Sequence, residues 1–305
     1  MRIVFCGTAD FAVPSLRALA NGHQLLAVVT QPDRPGSRGR PAPRPVGETA
    51  DLLHLPVLRP ERIRAPESVE AIMALQPDAL VVAAYGQIIP LALLDGSRFG
   101  GINVHGSLLP RWRGAAPVAA AILNGDERTG VSIVRMDVGL DTGPVYATRA
   151  IDVAPTDTTP LLAERLAEHG AAVLLEILDA VASGAAVATP QDDAQATYAP
   201  RLTREDGAIE WAAVTAVAVD RRVRALQPWP GVSAPLGGRR VRLIAGEVGD
   251  APATGVVPGA IVATAGEDLE VATAAGVYRI AIVQPAGGRP MGAAAYLRGR
   301  RMRPR

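Results

Sequence analysis

The stretch "INVHGSLLPRWRGAAP", residues 102–117, places an amide, Asn103, two residues before an imidazole, His105. An asparagine side chain offers N–H donors that cannot ionise, and an imidazole exchanges a proton near neutral pH. Together they suit a carbonyl oxygen that gains negative charge while a nucleophile attacks its carbon. A carboxylate is then needed to orient the imidazole and favour its charged form. Asp141, in the Gly-rich "VGLDTGP", is the best candidate; Asp137, nearer the body of the preceding strand, is its rival. Asn-x-His pairs also occur as ordinary polar residues at strand ends, so the pair gains meaning only with such a partner.

Other chemistries find no support. Ser107 lacks the Gly-x-Ser-x-Gly context of an activated serine. The single cysteine, Cys6, lies in an apolar strand-like run and reads as a small buried residue. One cysteine excludes disulfides within the chain and cysteine metal clusters. All 31 Lys+Arg residues are arginine, which excludes a lysine Schiff base. The four histidines, at 23, 54, 105 and 169, have no metal-ligand spacing, so no metal is expected. "GTADFA" is not the Gly-x-Gly-x-x-Gly of a dinucleotide site. What remains is direct attack by a substrate's own nucleophile, with the protein supplying polarisation and proton traffic.

Apolar strands alternating with helices must position these residues. "RIVFCG" (2–7), "QLLAVVT" (24–30), "DALVVAAYG" (78–86), "GGINVHGS" (100–107) and "GVSIVRMD" (130–137) read as strands. "DFAVPSLRALAN" (10–21) and "PVAAAILNG" (117–125) read as helices, and a long helix is expected over 157–183, closed by Gly184. The pattern predicts an α/β fold with a Rossmann-like, doubly wound, mostly parallel sheet. Ligands bind such sheets beyond the carboxyl ends of the strands. Gly7-Thr8, Tyr85-Gly86, His105-Gly106 and Asp137-Val138-Gly139 are expected to gather there on one edge.

Residues 1–185 are therefore expected to form the catalytic domain and the polar, turn-rich 186–203 a linker. Residues 204–305 carry short runs separated by Gly and Pro, which predict a small β-barrel, OB-like in kind. Charge divides with the domains. Residues 1–203 hold 17 Arg against 21 acidic residues, and 204–305 hold 14 against 9. A basic barrel beside a slightly acidic α/β domain suits a polyanion held across both.

Several stretches together resemble the methionyl-tRNA formyltransferases. They are "FCGTADFAVPSL", "TQPDRPGSRGR", "AYGQIIP", "INVHGSLLPRWRGAAPV", "GVSIVRMDVGLDTGPV", "YAPRLTREDGAIEW" and "VRALQPWPG", spread over nearly the whole chain. The resemblance implies 10-formyltetrahydrofolate as donor and the amino group of methionine on initiator methionyl-tRNA as acceptor. It implies a catalytic set that falls on Asn103, His105 and Asp141. It implies that Ser107, Leu108, Leu109 and Pro110 line the folate site, with Tyr85, Gly86, Gln87 and Ile88 as the opposite wall. One of the two leucines is expected to be core. The Arg-rich loop 31–45 carries Arg34, Arg38, Arg40 and Arg44. In the family this loop enters the tRNA acceptor stem, and Arg38 aligns with the arginine that does so. The chain departs from the family pattern at "RPAPRP", where lysines are common, and at Ala9, where proline is common.

For Arg111 and Arg113 two roles stay open: contact with the folate tail or tRNA phosphates, or a buried structural pairing. A formyltransferase acting on a small nucleotide or amino-sugar acceptor is the alternative function, but such acceptors need neither the basic domain nor the Arg-rich loop. A non-catalytic RNA-binding protein is the third reading, against which the intact Asn-His-Asp set argues. The apolar run in "MRIVFCGTADFAV" is too short for a signal core, and no stretch approaches the ~20 apolar residues of a membrane span. The protein is expected to be a cytoplasmic monomer.

Overall fold

The computed structural model describes residues 1–34, 44–249, 255–266 and 268–301. The chain divides into two compact units. The first comprises Met1–Pro117, Arg128–Asp152 and Leu161–Ala199; the second comprises Val118–Glu127, Val153–Pro160 and Pro200–Arg305. Residues 186–199, read from the sequence as connecting chain, thus cluster with the first unit.

The strands of the first unit are β1 (Arg2–Gly7), β2 (Gln24–Val29), β3 (Val57–Leu58), β4 (Ala79–Ala83), β5 (Gly101–His105), β6 (Arg113–Gly114), β7 (Arg128–Arg135), β8 (Val145–Asp152) and β9 (Tyr198–Ala199). Seven form one sheet in the order β3-β2-β1-β4-β5-β7-β8, while β6 pairs with β9. β1 to β5 are parallel, and β7 and β8 are antiparallel additions. The helices along the chain are α1 (Val13–Gly22), α2 (Pro45–Leu52), α3 (Pro66–Met73), α4 (Leu91–Gly96), α5 (Pro117–Asn124), α6 (Thr159–Ala182), α7 (Ala216–Ala225) and α8 (Ala293–Arg301).

Successive strand residues face opposite sides, and both sides are covered. Ile3 and Phe5 of β1, with Val81 and Ala83 of β4, pack against α1, α2 and α6. Val4 and Cys6, with Leu80 and Val82, pack against Ile72 of α3 and Leu93 and Leu94 of α4. Each fully buried Leu, Ile or Val stabilises the fold by about 1.5–3 kcal/mol. In α6, Leu162, Leu166, Gly170, Leu174 and Leu178 are all buried, one face at a four-residue step. Gly170 lets this helix lie close over β5: a Cβ there would stand 2.7 Å from Val104 Cγ1. The doubly wound α/β architecture is as the sequence predicts.

One placement differs. β7 runs antiparallel to β5, with Ile102 opposite Arg135 and His105 opposite Ser132. Asp137 therefore leaves the sheet beside the amino end of β5, not beside the carboxyl ends that carry Gly7, Tyr85 and His105. The sequence gives no local signal for strand direction, and the expectation assumed a parallel β7. β8, "VYATRAID", is an edge strand too polar to read as a buried one.

The second unit holds β10 (Val232–Leu236), β11 (Arg239–Gly249), β12 (Ile261–Ala265), β13 (Asp268–Ala272), β14 (Val277–Pro285) and β15 (Met291–Gly292). They form an antiparallel sheet in the order β10-β11-β14-β13-β12, with β15 on β14. Its core joins Val241, Leu243, Val271, Tyr278 and Ile280 to Val219 and Val223 of α7 and to α8. This antiparallel sheet domain is consistent with the small β-barrel expected of the C-terminal part. No described helix is long and apolar enough to cross a membrane.

Candidate active site

β5 carries Asn103 and His105 two residues apart, so both side chains project from the same face of the sheet. The loop after β7 brings Asp141 back to their level. Asn103 Nδ2 donates to Asp141 Oδ1 at 3.3 Å. His105 Nδ1 lies 3.6 Å from Asp141 Oδ2. His105 is 6% exposed and Asp141 15%. Asp141, not its rival Asp137, is the carboxylate that meets the pair. Asp137 instead shapes the loop, accepting from Gly139 N–H at 3.0 Å and from Thr142 Oγ1 at 2.8 Å.

The second imidazole nitrogen is committed as well. His105 Nε2 lies 2.9 Å from the Trp112 carbonyl oxygen. A carbonyl only accepts, so Nε2 bears hydrogen in this arrangement. The ring is held between a carbonyl on one side and a carboxylate on the other. Trp112 itself stands at φ +61 and Asp141 at φ +54, left-handed conformations that non-glycine residues seldom adopt. Such backbone concentrates at functional sites.

Ser107 does not act as a nucleophile in this geometry; its Oγ donates to the Arg111 carbonyl at 2.6 Å and so closes the 107–111 turn. Leu109 is 8% exposed and its N–H donates to Ser132 Oγ at 3.0 Å, making it the core member of the leucine pair. Leu108 is half-buried, and Pro110 follows Leu109 through a cis peptide.

The 85–88 loop divides its roles. Tyr85 is buried among Cys6, Val82 and Ile89, and its hydroxyl finds no hydrogen-bond partner among the described residues. Burial pushes that phenol well above the usual range, and burial likewise pushes the Cys6 thiol up to about 12. The Tyr85 carbonyl accepts from Thr8 Oγ1 at 2.9 Å and Gln31 Nε2 at 2.8 Å. Gly86 turns the chain at φ +82. The Gln87 carboxamide accepts from Ile63 N–H at 2.8 Å, and Ile88 is 82% exposed.

Of the loop arginines, Arg34 pairs with Glu61 at 3.4 Å and Arg44 with Asp33 at 3.0 Å. Arg38 and Arg40 lie outside the described residues. The two arginines that flank Trp112 separate cleanly. Arg111 stands exposed with its guanidinium 4.3 Å from the centre of the Trp112 ring. Arg113 is 2% exposed, bonded to Gln191 and Asp193. Gln191 also reaches the loop that carries Asp141, donating to the Asp141 and Gly143 carbonyls. Sequence reasoning missed it, because a lone glutamine in a turn-rich segment carries no period or motif. Among the described residues no group of three or more His, Cys, Asp or Glu could hold a metal ion.

Comparisons with known proteins identify the family. Residues 1–178 match the family described as Formyl transferase, and residues 201–301 match its C-terminal domain. The methionyl-tRNA formyltransferase of Methylococcus capsulatus is 46% identical over 299 residues, which is 97% of this chain and 96% of that one. The methionyl-tRNA formyltransferase of Xanthomonas campestris pv. campestris is 45% identical over 303 residues, 99% of this chain and 98% of that one. Among solved structures, HypX from Aquifex aeolicus in complex with tetrahydrofolic acid shares the fold, with a TM-score of 0.66 at 20% identity over 97% of this chain and 47% of that one. With both domain families matched in order and relatives aligned nearly end to end, the chain belongs to the formyl transferases, in the methionyl-tRNA formyltransferase family.

Proposed function

We infer that the chain transfers the formyl group of 10-formyltetrahydrofolate to the free amino group of methionine on initiator methionyl-tRNA. The observation that carries the reading is the meeting of Asn103, His105 and Asp141 within a chain 46% identical to a methionyl-tRNA formyltransferase over nearly its whole length. The reaction forms a bond from the methionine nitrogen to the formyl carbon and breaks the bond from that carbon to the folate nitrogen. The proton lost by the amine ends on the folate nitrogen.

Each member of the set has a part. Asn103 spends one N–H on Asp141 and has a second for the formyl oxygen, which gains negative charge during attack. His105, held by Trp112 and Asp141, is the imidazole of the set and stabilises the same developing oxyanion. Asp141 orients that ring and helps pass the proton from the attacking amine, through water or directly. The residues suit a folate: half-buried Leu108 and exposed Ile88 offer apolar surface to a flat pterin, and backbone groups of 107–110 and 85–88 offer polar edges.

The acceptor reading rests on the tRNA-directed relatives and on charge. In the second unit Arg221 bonds the Asn124 carbonyl and Arg242 the Pro228 carbonyl, neutral partners among the described residues. The sequence adds Arg38 and Arg40 in the 31–45 loop, and an acceptor stem calls for positive charge of this kind. Work on initiator tRNA would place the protein in the cytoplasm, acting as a monomer.

The test supplies purified protein with 10-formyltetrahydrofolate and, separately, methionyl initiator tRNA, methionyl elongator tRNA and a nucleotide-linked amino sugar. Formylation of the initiator tRNA alone is expected. Formylation of the sugar alone would overturn the tRNA assignment while keeping the carbonyl chemistry.

A further inference from the structure

The carboxamide of Gln191 spends its whole hydrogen-bonding capacity behind the catalytic loop. Its Nε2 donates to the Asp141 carbonyl at 2.8 Å and the Gly143 carbonyl at 2.7 Å. Its Oε1 accepts from Arg113 Nε at 3.0 Å and Nη2 at 2.9 Å. Arg113 is further fixed by Asp193 Oδ1 at 2.7 Å. The next residue, Gly114, donates its N–H to Asp141 Oδ2 at 2.9 Å. One side chain therefore ties the backbone of Asp141 to the strand whose neighbouring amide holds the carboxylate of Asp141.

The arrangement answers a structural need. Asp141 stands at φ +54, a left-handed conformation that is unfavourable for a non-glycine residue. A loop left to itself relaxes toward ordinary backbone and turns the carboxylate away. Two carbonyls, on either side of Thr142, are pinned by one amide nitrogen, which opposes that relaxation. Both donors are needed for it, and only an amide supplies them together with an acceptor for Arg113.

We propose that Gln191 is a positioning residue for formyl transfer, holding the 141–143 backbone so that the Asp141 carboxylate points at Asn103 and His105. The proposal rests on the assignment of Asp141 to the catalytic set. The competing role is purely structural: Gln191 as a cap for the buried Arg113. Gln191→Glu separates the two. It keeps an acceptor for Arg113 and adds a charge partner, but it has no N–H for the two carbonyls.

The experiment compares wild type, Gln191→Glu, Asp141→Asn and the double variant by single-turnover formylation of methionyl-tRNA, with thermal melting and amide hydrogen exchange over residues 137–143. Gln191→Met, which lacks both donor and charge, is the second single variant. For Gln191→Glu the expected result is a kcat lowered about 10- to 100-fold, the cost of a small misplacement, with both KM values within about twofold. Melting is unchanged or raised, and exchange over 139–143 is faster. In the Asp141→Asn background the same change lowers the rate by less than about twofold, because the two act through one group. Wild-type kcat in Gln191→Glu, losses that multiply in full in the double variant, or unchanged exchange in both single variants would overturn the proposal. Should wild type fail to formylate methionyl-tRNA, the functional reading falls, and the exchange comparison still decides whether Gln191 holds the loop.

Discussion

The Nδ1 atom of His105 lies 3.6 Å from the Asp141 Oδ2 atom, although 36 residues separate them in sequence and they enter from opposite ends of β5. His105 comes from the strand itself, whereas Asp141 returns on a loop that left beside Gly101 and Ile102. The same Asp141 oxygen accepts the Gly114 N–H at 2.9 Å. A rigid strand thus presents the amide and imidazole, and a strained loop presents the charge. The consequences are separable by substitution.

Asn103→Ala removes the neutral donor that the proposed mechanism assigns to the formyl oxygen. Loss of one such donor costs about 10²–10³ in kcat. Folate binding, measured by fluorescence titration, is expected to stay within about threefold, because the donor acts on developing charge rather than on the bound ground state.

Gly114 stands at φ +113, and a Cβ there would lie 2.7 Å from the Ala199 carbonyl oxygen. Gly114→Ala therefore strains the backbone and parts β6 from β9. A stability loss of about 1–3 kcal/mol is expected from the conformation alone, read by urea unfolding. Activity should fall further than stability, since the shifted N–H is the one that holds Asp141.

Cys6 is fully buried and its thiol is pushed up to about 12 by desolvation. Folded protein should resist a thiol-reactive dye at pH 8 and react fully once unfolded. The unfolded thiol ionises first, so the folded state binds more protons between its unfolded value and about 12. Stability from this group is present below the unfolded pKa and is lost as pH rises toward 12. Cys6→Ala should flatten the alkaline limb of a stability–pH curve.

Arg38 tests the acceptor side. Arg38→Ala is expected to raise KM for methionyl-tRNA about tenfold and leave folate affinity unchanged; an arginine that contacts phosphate and stacks is worth that much. The affinity of wild type for tRNA should fall steeply with salt, and the slope should be shallower by about one unit in the variant. Equal loss of folate affinity would remove Arg38 from the tRNA contacts.

Much of this architecture was legible in the residues. The alternation of Ile3, Val4, Phe5 and Cys6 between two apolar clusters follows from strand geometry, and the four-residue step from Leu162 to Leu178 from helix geometry. That Asp141 would meet Asn103 and His105 was legible because the pair calls for a carboxylate and the Gly-rich turn after a neighbouring strand offers one. Strand direction was not: β7 has the same composition whichever way it runs, so Asp137 was expected on the wrong edge. The role of Arg113 was open because burial of a cation depends on partners 78 and 80 residues away, Gln191 and Asp193. Those partners sit in a polar stretch that reads as connecting chain, and only tertiary contact reveals what they hold.

The most direct test of the account is single-turnover transfer of labelled formyl from 10-formyltetrahydrofolate to methionyl initiator tRNA by Asp141→Asn protein, at saturating concentrations of both. Asparagine keeps the shape of the side chain and removes its charge. The transfer rate is expected to fall by about 10² or more, the usual share of a proton-handling group, with both substrates still bound. A rate equal to wild type would contradict it, because the carboxylate beside His105 would then have no part in the chemistry.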